Sequence, residues 1–126
     1  MDLISEARRN LGNARTILRE KANEEDGYYQ DAKHVKMAGR IAYAGVLMVL
    51  NDALGIESNR RKDVDWYKQQ LSRLDKCVLN SFVSAYDILH LSMSYDGILD
   101  AEVAQTGLKR ADSIIDWVEQ RSVAAA

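Results

Sequence analysis

The chain contains no proline in 126 residues. Proline lacks a backbone N–H and its ring clashes with the preceding helical turn, so it interrupts helices and punctuates loops. A chain without it suits a fold that is nearly all helix with short connections. The seven glycines are dispersed rather than pooled in a linker. No internal repeat, composition shift or low-complexity stretch beyond Ala124-Ala125-Ala126 marks a boundary, so residues 1–126 read as one helical-bundle domain, a usual length for a single core.

Apolar spacing supplies the elements. Ile4, Ala7, Leu11, Ala14 and Leu18 recur at three and four, predicting a helix from about Leu3 to Lys21. Asn23-Glu24-Glu25-Asp26-Gly27 ends it with turn chemistry. A second helix is predicted from Tyr28 to Leu54 on the stripe Val35, Ala38, Ala42, Gly45, Val49 and Ala53, with Gly55 as a left-handed cap. After the polar loop Ile56 to Lys62, the positions Tyr67, Leu71, Leu74, Val78, Phe82, Ala85, Leu89 and Ser92 stay in helical phase. An unbroken helix from Asp63 to Tyr95 would be a rod of about 50 Å. Asp75 is a good N-cap, and a short helix to Ser72, a break at residues 73–76 and a longer helix to Tyr95 are expected. Asp96-Gly97 then turns the chain. Asp100 caps a last helix to about Arg121 on Val103, Gly107, Ala111, Ile114 and Val118. No segment shows strand-like alternation. The fold class is all-α, an up-and-down bundle of four to five helices.

Charge and cysteine content narrow the function classes. The 17 Lys plus Arg against 19 Asp plus Glu exclude a globally basic nucleic-acid binder and an acidic disordered tail. Cys77, the single cysteine, forms no internal disulfide, and beside Val78 it reads as a buried, inert thiol. Met1-Asp2-Leu3-Ile4-Ser5 has no leader pattern, and a cytoplasmic protein is expected. Nucleotide-loop and nucleophile-elbow motifs are absent.

Three groups of residues could carry function. Asp31 with His34, and Asp87 with His90, have the i, i+3 spacing of carboxylate–histidine metal pairs. Asp87 lies off the core stripe, however, and the other helices supply no inward carboxylate, so neither metal nor cofactor is expected. Tyr86, Asp87, His90 and Tyr95 bunch together as a candidate ligand cleft, with a Tyr–Asp or Tyr–His hydrogen bond expected. Arg8, Arg15 and Arg19 on the first helix, and Lys33, Lys36 and Arg40 on the second, form basic stripes that could contact phosphates weakly and without sequence preference. Arg60-Arg61-Lys62 adds a basic loop. The ordinary alternative is a solvated face paired with Glu20, Glu24 and Glu25, and no aromatic is interleaved with these charges as stacking would want.

The run Ile41 to Leu50 carries no charge. It is far short of the roughly 20 apolar residues of a membrane span, so no membrane contact is expected. A helix apolar all round is buried all round. Either it is the central helix, or Tyr43, Ala44 and Leu47 on its outer side meet a second copy in a homodimer or another partner protein.

Tyr28-Tyr29, Val35-Lys36-Met37-Ala38-Gly39, Ala42-Tyr43, Asp65-Trp66-Tyr67, Ala85-Tyr86-Asp87-Ile88-Leu89-His90-Leu91 and Tyr95-Asp96-Gly97 together resemble a small bacterial family of uncharacterised helical proteins, a domain of unknown function. The resemblance covers residues 28–97 and implies a fold without an activity. More loosely, the layout resembles the HEPN superfamily of four- to five-helix bundles. That superfamily includes RNases, toxins and non-catalytic partners of nucleotidyltransferases. Its RNases carry Arg, four to six residues, then His. Here Val83, Ser84 and Ala85 stand where His90 would need the arginine, and Tyr28 and Tyr29 precede His34. The resemblance therefore implies a copy without the RNase motif. Two functions are expected in turn: a non-catalytic bundle acting by protein–protein contact, or a HEPN-like nucleic-acid- or nucleotide-associated protein of a nucleotidyltransferase or toxin–antitoxin type system.

Overall fold

Each helix begins where a short acid can satisfy the unpaired N–H groups of its first turn. A computed structural model describes residues 2–56 and 62–125; Arg60 and Arg61 of the predicted basic loop lie outside them. Asp2 accepts from Ser5 N at the start of α1 (Leu3–Lys21), Asp31 from His34 N at α2 (Ala32–Ala53), and Asp63 from Trp66 N at α3 (Val64–Ser72). Asp75 accepts from both Cys77 N and Val78 N at α4 (Lys76–Ala85), and Asp100 from Val103 N at α5 (Ala101–Ala125). Gly55, at φ 73, closes α2: Ile56 N donates to Asn51 O, and Gly55 N donates to Asp52 O. The predicted break between Ser72 and Lys76 is present, and Asp75 starts the next helix there.

Several features depart from the sequence reading. The second helix starts at Ala32, not Tyr28, because residues 24–29 form a small antiparallel hairpin, β1 (Glu24–Glu25) and β2 (Tyr28–Tyr29). Asp26 and Gly27 both take positive φ, 52 and 86, as a tight hairpin turn requires. The hairpin is held by the far end of the chain: Tyr29 N donates to Leu99 O and Ala101 N to Gly27 O. The second departure is that α4 gives way to a π-helix over Tyr86–Tyr95, ended by the i→i−5 bond from Asp96 N to Leu91 O and by Gly97 at φ 63. The wider turn advances the buried position from Ser92 to Met93. Third, Cys77 is exposed rather than buried, since it lies in the first turn of α4 one step round from the inward Val78. Leu74 and Val103, predicted core positions, are 45% and 36% exposed.

The helices form an antiparallel bundle with one contiguous apolar core. Gly45 of α2 sits against Ala7 and Asn10 of α1. Gly39 sits against Leu89 and Met93 of the π-helix, and Gly107 of α5 against Ile88. The uncharged run of α2 packs on α1, the π-helix and α5. Among the described residues, no helix is long and apolar enough to cross a membrane.

Candidate functional site

Phe82, Tyr86 and His90 recur at four residues, which places them on one face. The wider π turn adds Tyr95 five residues later. From α2, Tyr43 leans onto this face, its ring stacked on His90 at 4.9 Å and 6.1 Å from Tyr86. Tyr86 and His90 are 5.3 Å apart, and Tyr95 meets His90 edge-on at 4.9 Å. The strip continues through Phe82 to Tyr67 and Trp66, with ring separations of 6.5, 5.6 and 5.3 Å. Tyr67 OH donates to Asn51 Oδ1, fixing α3 to the end of α2. Lys68 Nζ lies 5.8 Å from the Tyr86 centroid and Lys62 Nζ 5.5 Å from that of Trp66. Tyr95 is 64% exposed; Tyr43, Tyr86 and His90 are partly buried.

The structure therefore brings together three of the four predicted cleft residues, Tyr86, His90 and Tyr95, but as a packed ring strip. Asp87 points to solvent, and no hydrogen bond joins it to His90 among the described residues. The expected Tyr–Asp or Tyr–His bond is replaced by ring stacking. The concave ground lies elsewhere: an open cleft of about 430 Å³ lined by Arg15, Leu18, Arg19, Glu24, Tyr29 and Gln105. Sequence reading missed Tyr43, Tyr67 and Trp66 as members of the strip. The four-residue recurrence of Phe82, Tyr86 and His90 was the available signal.

Burial disfavours the charged form of both rings: it holds the pKa of His90 below the ordinary value of 6.5 and pushes that of the Tyr43 hydroxyl well above the usual tyrosine range. The unfolded chain therefore protonates first at position 90 as pH falls. The stability His90 contributes is full above 6.5 and is lost as pH drops through that value towards the lowered folded one. Urea titrations at neutral and mildly acid pH should show wild type losing more stability than His90→Gln; equal losses would contradict this.

The other Asp–His pair has a structural role. His34 Nδ1 donates to Asp31 Oδ2 at 2.7 Å while Asp31 caps α2, and these bonds hold the Asp31 carboxyl below its ordinary range. Among the described residues, no group of three or more metal-ligating side chains assembles.

The two basic stripes part company. Arg8 pairs with Asp116 at 3.0 Å and Glu119 at 2.8 Å, and Arg15 with Asp112 at 2.6 Å, so their partners are acids of α5 rather than Glu24 or Glu25. Arg19 lies 4.0 Å from Glu20. Lys33, Lys36 and Arg40 are exposed on α2, as predicted, with no ion pair among the described residues. The three residues of the predicted partner face differ in their surroundings. Tyr43 is held in the ring strip and Leu47 packs partly on the core, leaving Ala44 exposed. Tyr43 sits about 100° round from Ala44, on the side that meets the π-helix.

Fold and site together define a class: an all-α antiparallel bundle, closely packed at small residues, carrying an aromatic–histidine strip on a π-helix. The chain belongs to the family described as Domain of unknown function (DUF5618), which matches residues 2–120. It is similar to a solved protein of unknown function from the bacterium Dyadobacter fermentans, with 55% identity over 94% of each chain and a TM-score of 0.88. No curated protein matches. The resemblance to an uncharacterised helical family, read from the motifs of residues 28–97, is thereby borne out.

Proposed function

We propose that the protein is a non-catalytic binding module that acts by macromolecular contact, with the seam between α2 and the π-helix as its working surface. One observation carries this: Tyr95 stands 64% exposed while His90, itself stacked on Tyr43, holds it edge-on. A large ring already fixed by its neighbours loses little freedom when a partner covers it. The π-helix supports the same reading, because such segments are rare and frequently mark functional sites. Acid–base work is not assigned to His90, because Asp87 faces solvent and the imidazole is engaged by the Tyr43 and Tyr95 rings.

Incubation with a mixed RNA pool is expected to leave the RNA intact. Cleavage that disappears in His90→Ala would overturn the reading. Ala44→Glu, outside the strip, is expected to leave the solution mass unchanged by light scattering. A mass of two chains falling to one would give the α2 face to a second copy instead.

A further inference from the structure

The seam carries cations at both ends. A Cβ on Gly97 would stand 2.9 Å from Lys36 Cε, so the Lys36 side chain crosses the turn that directly follows Tyr95. At the far end Lys68 lies over Tyr86 and Lys62 over Trp66. Arg40 is exposed one helical turn beyond Lys36. Among the described residues, none of these four cations is ion-paired, whereas Arg8 and Arg15 are held by the acids of α5. The molecule thus separates a neutralised basic set on α1 from a second set that borders partly exposed rings.

Unpaired cations alone describe a solvated face, and partly exposed rings alone describe a core margin. Alternating along one strip, they match a ligand that offers planar faces and negative charge at short intervals. We propose that the strip binds single-stranded nucleic acid, with a base stacked on Tyr95 and phosphates met by Lys36, Arg40 and Lys68. This rests on the seam being the binding surface. A single strand is favoured over a duplex because paired bases hide their faces, whereas an unpaired base can stack on an exposed ring. An acidic peptide would use the cations without needing the Tyr95 ring face. Exposed Asp87 and Asp96 lie on or beside the π-helix; they keep the attraction modest and sensitive to salt.

Anisotropy of a labelled oligo-uridylate of about ten nucleotides, within the span of one small binding surface, tests this on the full chain. Tyr95→Ala should weaken binding about fivefold to a hundredfold, the range for loss of one base–aromatic stack, while Tyr95→Phe retains it. Lys36→Gln and Arg40→Gln should each flatten the slope of log affinity against log salt by about 0.7. Arg8→Gln should change neither, because Asp116 and Glu119 already occupy that guanidinium. Circular dichroism checks that each variant folds. Absence of binding at low salt, binding indifferent to Tyr95→Ala, or equal affinity for a duplex of the same length would overturn the proposal. Failure to bind by a protein that leaves RNA uncut removes this inference alone. Cleavage lost in His90→Ala removes the binding-module reading with it.

Discussion

Replacing Phe82 with alanine is expected to cost about 3–5 kcal/mol of folding stability. The ring is fully buried in α4 and packs between the rings of two other elements. It meets Tyr67 of α3 at 5.6 Å and Tyr86 of the π-helix at 6.5 Å. Truncation removes its transfer energy and leaves a void that those two rings, fixed to separate helices, cannot readily fill. A domain of this size has about 5–15 kcal/mol in all, so the loss is a large share. Urea unfolding should show a lower midpoint with an unchanged slope. Phe82→Leu, which keeps most of the volume, should recover much of the difference. A midpoint within experimental error of wild type would show that the strip is not anchored through Phe82.

The second large effect belongs to Gly39. A Cβ there would stand 2.6 Å from Leu89 O, 2.7 Å from Met93 Cβ and 3.0 Å from Ser94 N. Two of the three are backbone atoms, so the helices themselves must part. Gly39→Val should therefore cost about 1–3 kcal/mol or more through overpacking, against only a few tenths recovered from helix propensity. Its signature is local: near-ultraviolet dichroism from the Tyr43–His90 stack should change while far-ultraviolet helix content persists. Gly12→Ala provides the contrast. Nothing lies within 4 Å of a Cβ at Gly12, on an exposed helical surface, so that change should stabilise by up to about 1 kcal/mol. A Gly39→Val protein as stable as wild type would mean that α2 and the π-helix do not touch at this point.

Both effects show why the site was only half legible beforehand. Phe82, Tyr86 and His90 repeat every four residues, so their common face was available from spacing alone. By the spacing of α2 alone, Tyr43 falls on the side opposite the core. Its actual neighbour depends on where the π-helix crosses α2, which the close approach at Gly39 decides. Likewise Arg8 and Arg15 could be placed on one stripe of α1, but their acids lie on α5, roughly a hundred positions away in sequence.

What the sequence determined by itself was everything governed by nearby residues. The absence of proline, the three-and-four spacing of Ala7, Leu11, Ala14 and Leu18, the Asp75 cap and the Gly55 terminator act within one or two turns. Each is found where it was expected. Tertiary structure decided the features whose stabilising partners are remote. The hairpin at residues 24–29 replaces the first turn of a predicted helix because Leu99 and Ala101 supply its missing hydrogen bonds. The π-helix adds one residue to its turn, and nothing in the run Tyr86–Tyr95 breaks helical phase. The shift puts Met93 rather than Ser92 in the core beside Gly39. A local pattern records which face of an element is apolar, and only packing records which neighbour fills it.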